Sequence, residues 1–191
     1  KEYGSHTNVP KTILKESIKI LLLASLLSSI GGFALESIKS VLFSIIPLII
    51  LFPVLNDMIG DYGSIFSAKF STMLHEGKIK LSAFKSFELK KLFAQILVIA
   101  VITTLFSSFI AFGISFFSHS IFDNSIILKV LLIALLDVIL LISILFLVSI
   151  FAGLYFFKKH EDPSNFLIPI TTSIADFGNI LILSLLVILL F

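Results

Sequence analysis

Five carboxylates fall inside or beside the long apolar stretches of this chain: Glu36, Asp57, Asp61, Asp137 and Asp176. A carboxylate at membrane depth costs about 2.5 kcal/mol or more, so such a residue faces a partner or a water-filled path. Asp176 is the most informative, because Leu, Ile and Phe flank it on both sides and Thr172 precedes it by one helical turn. Lys69 is the one lysine well inside an apolar stretch. Several acids with so little internal cation give an electronegative path that suits a cation and repels an anion. The other use of each acid, a hydrogen bond to a neighbouring helix or a place at the water boundary, stays open at this level.

Two segments concentrate the irregular residues. The first holds Pro47, Pro53, Asn56, Asp57, Gly60, Asp61 and Gly63, followed by Ser64, Ser67 and Ser71. Proline removes a helix donor and crowds the preceding turn, so this spacing predicts a bent or locally opened helix. Helical periodicity puts Pro53, Asp57, Gly60, Ser64, Ser67 and Ser71 on one side, a small and polar stripe that fits a pore lining or a close helix contact. The second segment opens with Asp162-Pro163, a capping acid followed by a first-turn proline. Pro169, Thr172, Asp176 and Asn179 then share one face. Asp176 lies about two turns past Pro169, too deep to serve as a cap.

The elements that carry these residues are membrane helices. Hydrophobic residues make up 58% of the 191 and charged ones 14%, with a mean hydropathy of +1.14. That composition predicts a multi-pass protein of the cell membrane, all-α, with the lipid bilayer as its partner. Apolar runs give five transmembrane helices, at about residues 19–36, 40–71, 92–118, 126–157 and 166–191. Residues 1–17 read as an N-terminal tail with a possible interfacial helix, and residues 18–191 as a single five-helix domain. Lys11, Lys15 and Lys19, then Lys78, Lys80, Lys85, Lys90 and Lys91, then Lys158 and Lys159 fall on one side. The positive-inside rule makes that side cytoplasmic, with the N-terminus cytoplasmic and the C-terminus outside. The first apolar run lacks a small-residue cleavage pattern, so it is expected to stay as a span.

Other chemistries find little support. Cysteine is absent, which removes disulfides, thiolate metal sites and thiol nucleophiles. No HExxH or GxSxG motif and no phosphate-cradling loop occurs, so the chain does not read as an enzyme and needs no organic cofactor. His75 and Glu76 are expected to face water in a lysine-rich loop. A net charge of +2 gives no ground for nucleic acid binding. Two alternatives to a channel remain: a non-conducting membrane scaffold or sensor, against which the acidic segments argue, and a proton- or sodium-coupled cation carrier using Asp137. For Asp137 the structural expectation is a hydrogen bond to a Ser or Thr on the third span, such as Thr103 or Thr104.

At the two irregular segments the chain resembles the transmembrane domain of the MgtE-type magnesium channels and their animal solute-carrier relatives. The matching residues are Pro53-Val-Leu-Asn-Asp-Met-Ile-Gly60-Asp61-Tyr-Gly63, then Ser67 to Thr72, and Asp162-Pro163-Ser164-Asn165-Phe166 with Pro169, Thr171-Thr172 and Asp176. The resemblance implies a homodimer, or a second homologous half, whose ion path runs between the second and fifth helices. Asp176 stands where that family places the aspartate of a central magnesium site. Thr172 stands where a backbone carbonyl faces the ion, and Asp61 replaces the asparagine usual after the glycine matched by Gly60. Ser64 and Ile65 depart from the amide pair of many bacterial members. Glu36 matches an acid near the end of the first helix. Bacterial members also carry cytoplasmic regulatory domains ahead of this region, for which the present sequence has no room; it reads equally as a stand-alone chain, an excised domain or one half.

The expected ion-facing set is thus Asp176, Thr172, Asp61 and Asp57. Asn56, Gly60, Ser64, Pro53 and Pro169 are expected to line or shape the path. Magnesium is the expected cargo, since it takes oxygen ligands, keeps part of its water and needs no complete protein cage.

Overall fold

A computed structural model describes residues 9–79, 86–118 and 123–191. The first eight residues of the expected tail lie outside these segments, as do Lys80 and Lys85 of the lysine-rich loop and the side chains of Lys11, Lys15 and Lys19. Every regular element among the described residues is a helix: α1 Val9–Ser37, α2 Lys39–Ser44, α3 Ile46–His75, α4 Phe87–Phe117, α5 Asn124–Lys158 and α6 Pro163–Leu190.

Four of these, α3 to α6, are long and apolar enough to cross a membrane. At about 1.5 Å per residue each exceeds a hydrocarbon core of about 30 Å. The protein is a multi-pass integral membrane protein. The apolar part of α1, Leu21–Ser37, is shorter than these four helices. It belongs to a helix that runs unbroken from Val9, through the stretch read as interfacial.

Side-chain contacts fix the directions of the helices. Ser67 on α3 meets Ser149 on α5, and Ser71 on α3 reaches Asp162 at the head of α6. Lys129 near the start of α5 lies 4.8 Å over the ring of Phe191 at the end of α6. Helices α3 and α5 therefore run parallel, with α6 antiparallel to both. Ala34 near the end of α1 accepts from Ser184 in the second half of α6, at 3.3 Å.

The expected second span starting at Ser40 is corrected by the structure. The chain breaks at Ile45, with φ −119° and ψ 88°, dividing it into short α2 and long α3. Pro47 sits in the first turn of α3, where a missing amide proton leaves no bond unmade. Pro53 is carried inside the helix without ending it.

The core forms where α3, α5 and α6 meet, around Leu51, Leu55, Ile59, Phe70, Ile133, Leu141, Leu145 and Leu167, all essentially inaccessible. Gly178 and Gly153 permit the tightest approaches: a Cβ would lie 2.5 Å from Leu141 Cδ2 at the first and 2.6 Å from Phe70 Cε1 at the second. Large exposed side chains such as Phe106 and Phe109 on α4 and Leu22, Leu26 and Phe33 on α1 suit contact with lipid chains.

Asp137 is the anomaly of the core. It is 0% exposed, and neither carboxyl oxygen has a hydrogen-bond partner among the described residues. The bond expected from Thr103 or Thr104 is not made. Thr104 donates back to the Ala100 carbonyl at 2.7 Å, while Thr103 meets the Tyr62 hydroxyl at 2.9 Å. Thr104 thus satisfies itself within its own helix, and Thr103 is engaged by α3, so neither hydroxyl is directed to Asp137.

Candidate functional site

The N-terminal half of α3 and the middle of α6 enclose an open cavity of about 550 Å³, lined by Phe52, Pro53, Asn56, Asp57, Gly60, Asp61, Thr172, Asp176 and Ile180. Three carboxylates and no cationic side chain stand on this wall. The helices define where it ends, because Gly63 admits close contact: a Cβ there would lie 3.1 Å from Leu145 and 3.2 Å from Thr171. Beyond that contact α3 is covered by α5 and α6.

All four residues expected to face an ion, Asp176, Thr172, Asp61 and Asp57, line this cavity, along with Asn56, Gly60 and Pro53. Ser64 and Pro169 do not. Ser64 falls a turn beyond Gly60, where α3 approaches its neighbours. Pro169 has a structural part, its carbonyl accepting from Thr172 Oγ1 at 3.1 Å and Ser173 Oγ at 2.5 Å. Ser67 and Ser71, read as part of the lining stripe, are buried. Ser67 lies 3.3 Å from both Ser149 and Thr171, a polar contact among three helices.

Asp176 is held from α3. Asn56 Nδ2 donates to its Oδ1 at 2.8 Å, and Asn179 Nδ2 donates in turn to Asn56 Oδ1 at 3.0 Å. Sequence periodicity places Asn179 on the face of Asp176; the bond to Asn56 depends on how α3 and α6 cross, 123 positions apart in the chain. Phe52 and Ile180, apolar and unremarkable in sequence, complete the wall.

Asp57 and Asp61 are exposed on the outer side of α3 and also line a shallower opening with Val54 and Met58. Among the described residues no group of three or more His, Asp or Glu closes into a metal-binding cluster within one chain. Glu36 lies away from this wall, exposed and paired with Lys39 at 3.1 Å beside the start of α2.

At the other end of α6, Asp162 caps the helix as its sequence predicts. Its Oδ1 accepts from the Ser164 amide at 3.0 Å, the Ser164 hydroxyl at 2.7 Å and Ser71 at 3.4 Å. His75 is exposed, as expected of a residue facing water, while its Nε2 stands 3.7 Å from Asp162 Oδ1 and its ring meets Phe157 edge-on. Burial pushes the Asp162 carboxyl up; the bonds from Ser164 and the nearby His75 outweigh it and hold it below its ordinary value of 3.8. With the folded value lowered, the cap contributes fully above that ordinary value and is lost as pH falls through the folded one.

In comparison with protein families, residues 52–186 fit the family model MgtE, described as divalent cation transporter. The matched stretch contains the cavity-lining segments of both α3 and α6. Searches of curated proteins and of solved structures gave no match.

Proposed function

The chain belongs to the MgtE divalent cation transporter family, and from that premise we propose that it conducts magnesium across the membrane along the α3–α6 cavity, closed by a second copy. The observation that carries the reading is the wall on which Asp57, Asp61, Thr172 and Asp176 come together, open on one side. One copy offers Asp176 once. Two copies related by a two-fold axis offer two such carboxylates across a water-filled gap, enough to attract a hydrated divalent ion and weak enough to release it. In this reading α1 crosses as a fifth span, the N-terminus is cytoplasmic and the C-terminus outside.

Reconstituted in liposomes, the protein is expected to be dimeric by mass measurement. It should take up magnesium at least as well as cobalt, nickel or manganese, and pass monovalent ions poorly while magnesium is present. A strictly monomeric protein that transports would contradict the two-copy path.

The coupled-carrier reading is favoured by one observation, Asp137 in α5, whose carboxyl oxygens have no hydrogen-bond partner among the described residues. It predicts uptake that vanishes when proton and sodium gradients are collapsed. The channel reading predicts uptake driven by the magnesium gradient and the membrane potential alone.

A further inference from the structure

Past the contact at Gly63, polar side chains of the described residues join α3 to α6 at two places. Ser67 meets Thr171 at 3.3 Å, and at the far end Ser71 and His75 both reach the Asp162 carboxyl. That carboxyl serves two helices at once, capping α6 through Ser164 and receiving the last turns of α3. Its hold on α3 is slack: Ser71 Oγ donates at 3.4 Å, and His75 Nε2 at 3.7 Å lies beyond hydrogen-bond range. Phe157 at the end of α5 steadies the His75 ring, edge-on with 5.5 Å between ring centres.

One proton changes this contact. Histidine changes its charge between about pH 5 and 8, whereas the Asp162 carboxyl, held below its ordinary 3.8, stays ionised throughout that range. Protonation of His75 therefore converts a neutral contact into an ion pair across the α3–α6 junction. The charged neighbours are otherwise engaged or steady. After α3, Lys78 pairs with Glu76 at 2.8 Å and also feels Glu88 at the head of α4. Lys158, Lys159, His160 and Glu161 close α5, with Lys159 turned over the Tyr155 ring at 4.4 Å. Carboxylates and ammonium groups ordinarily keep their charge between about pH 5 and 8, which leaves His160 as the competing titration among the described residues at this end.

The position gives the pair its consequence. Helices α3 and α6 are the two walls of the cavity, which ends at the Gly63 contact. Widening it toward this end has to part the last turns of α3 from the first turns of α6, across the His75–Asp162 contact.

We propose that His75 is a proton-operated latch, which when protonated ties the end of α3 to the head of α6 through Asp162 and slows passage of the cation. The proposal rests on the reading of the α3–α6 cavity as the ion path.

The test is magnesium uptake by liposomes carrying the full chain at about pH 8 and about pH 6, the same on both sides of the membrane, so that the histidine range is spanned. Parent uptake is expected to fall about two- to fivefold at the lower pH, the scale of one half-exposed ion pair. His75→Gln should keep the higher rate at both values, while His160→Gln keeps the parent's response. His75→Lys, charged throughout, should be slow at both, and Asp162→Asn added to it should restore the rate. Opposite effects of Gln and Lys at one position are not what a merely structural side chain produces. A parent protein without a response, or a response that survives undiminished in His75→Gln, overturns the proposal.

Amide hydrogen exchange at the end of α3 reads the latch without transport, with parent and His75→Gln compared at matched pH. Slower exchange in the parent at about pH 6 and equal exchange at about pH 8 are expected, and equal exchange at both overturns the latch. Slower exchange in a folded parent that takes up no magnesium at either pH would instead remove the path reading, so the two failures are told apart.

Discussion

Asp176→Asn is expected to keep the fold and to lose divalent-cation uptake, with apparent affinity falling about tenfold or more. The substitution preserves size and an oxygen able to accept from Asn56 Nδ2, so the α3–α6 bond at this point survives. It removes one negative charge per copy from a wall whose other acids, Asp57 and Asp61, lie on the exposed side of α3. A pair of unit charges at about 4 Å is worth about 4 kcal/mol at an effective dielectric constant of 20, and intervening water reduces that to a fraction still sufficient for this loss. Asp162→Asn provides the contrast: it weakens the α6 cap, costing about 1 kcal/mol of stability, and leaves uptake near normal. Asp61→Asn should be milder than Asp176→Asn, because Asp61 is exposed on the outer side of α3. Size exclusion alongside uptake separates misfolding from lost function, and a well-folded Asp176→Asn protein with full uptake would assign the residue to helix packing.

Asp137→Leu is expected to raise stability by about 1–3 kcal/mol, the range for relieving a buried polar group of an unmet hydrogen bond. Asp137 sits between Ala134 and Leu141 on the buried face of α5, with neither carboxyl oxygen satisfied among the described residues. Leucine has similar volume and needs no partner there. Thermal unfolding in detergent reads the change, with magnesium uptake measured beside it. Higher stability with undiminished uptake fits a path confined to the α3–α6 cavity. Loss of gradient-driven uptake in a folded, stabilised protein would make Asp137 part of the transport cycle and favour the coupled carrier.

The acids of the cavity are legible in the sequence because a membrane makes each one costly. Asp57, Asp61 and Asp176 stand out against their apolar neighbours, and four-residue spacing already joins Thr172 to Asp176. Asp162-Pro163 is equally legible, since a cap and a first-turn proline act within one turn of chain. What lies between helices is not. Periodicity gives Ser67 the same face of α3 as Asp57, yet the close contact at Gly63 buries the first against α5 and α6 and leaves the second open. The link from Asn179 through Asn56 to Asp176, and the absence of a bond to Asp137 among the described residues, follow from crossing geometry that single-helix reasoning does not contain. The break at Ile45 was hidden by apolar residues on both sides, which read as one continuous span.

The central claim is that the ion passes along the wall shared by α3 and α6, and the absence of native cysteine makes it directly accessible. Thr172 lines that wall, and among the described residues its hydroxyl bonds within its own helix, to the carbonyls of Ile168 at 3.0 Å and Pro169 at 3.1 Å. Thr172→Cys should therefore fold and transport. The measurement is magnesium flux through Thr172→Cys in liposomes before and after a charged, membrane-impermeant thiol reagent, with the cysteine-free parent as control. The account predicts that labelling blocks flux, that magnesium slows labelling, and that the parent is unaffected; complete labelling with flux unchanged would contradict it.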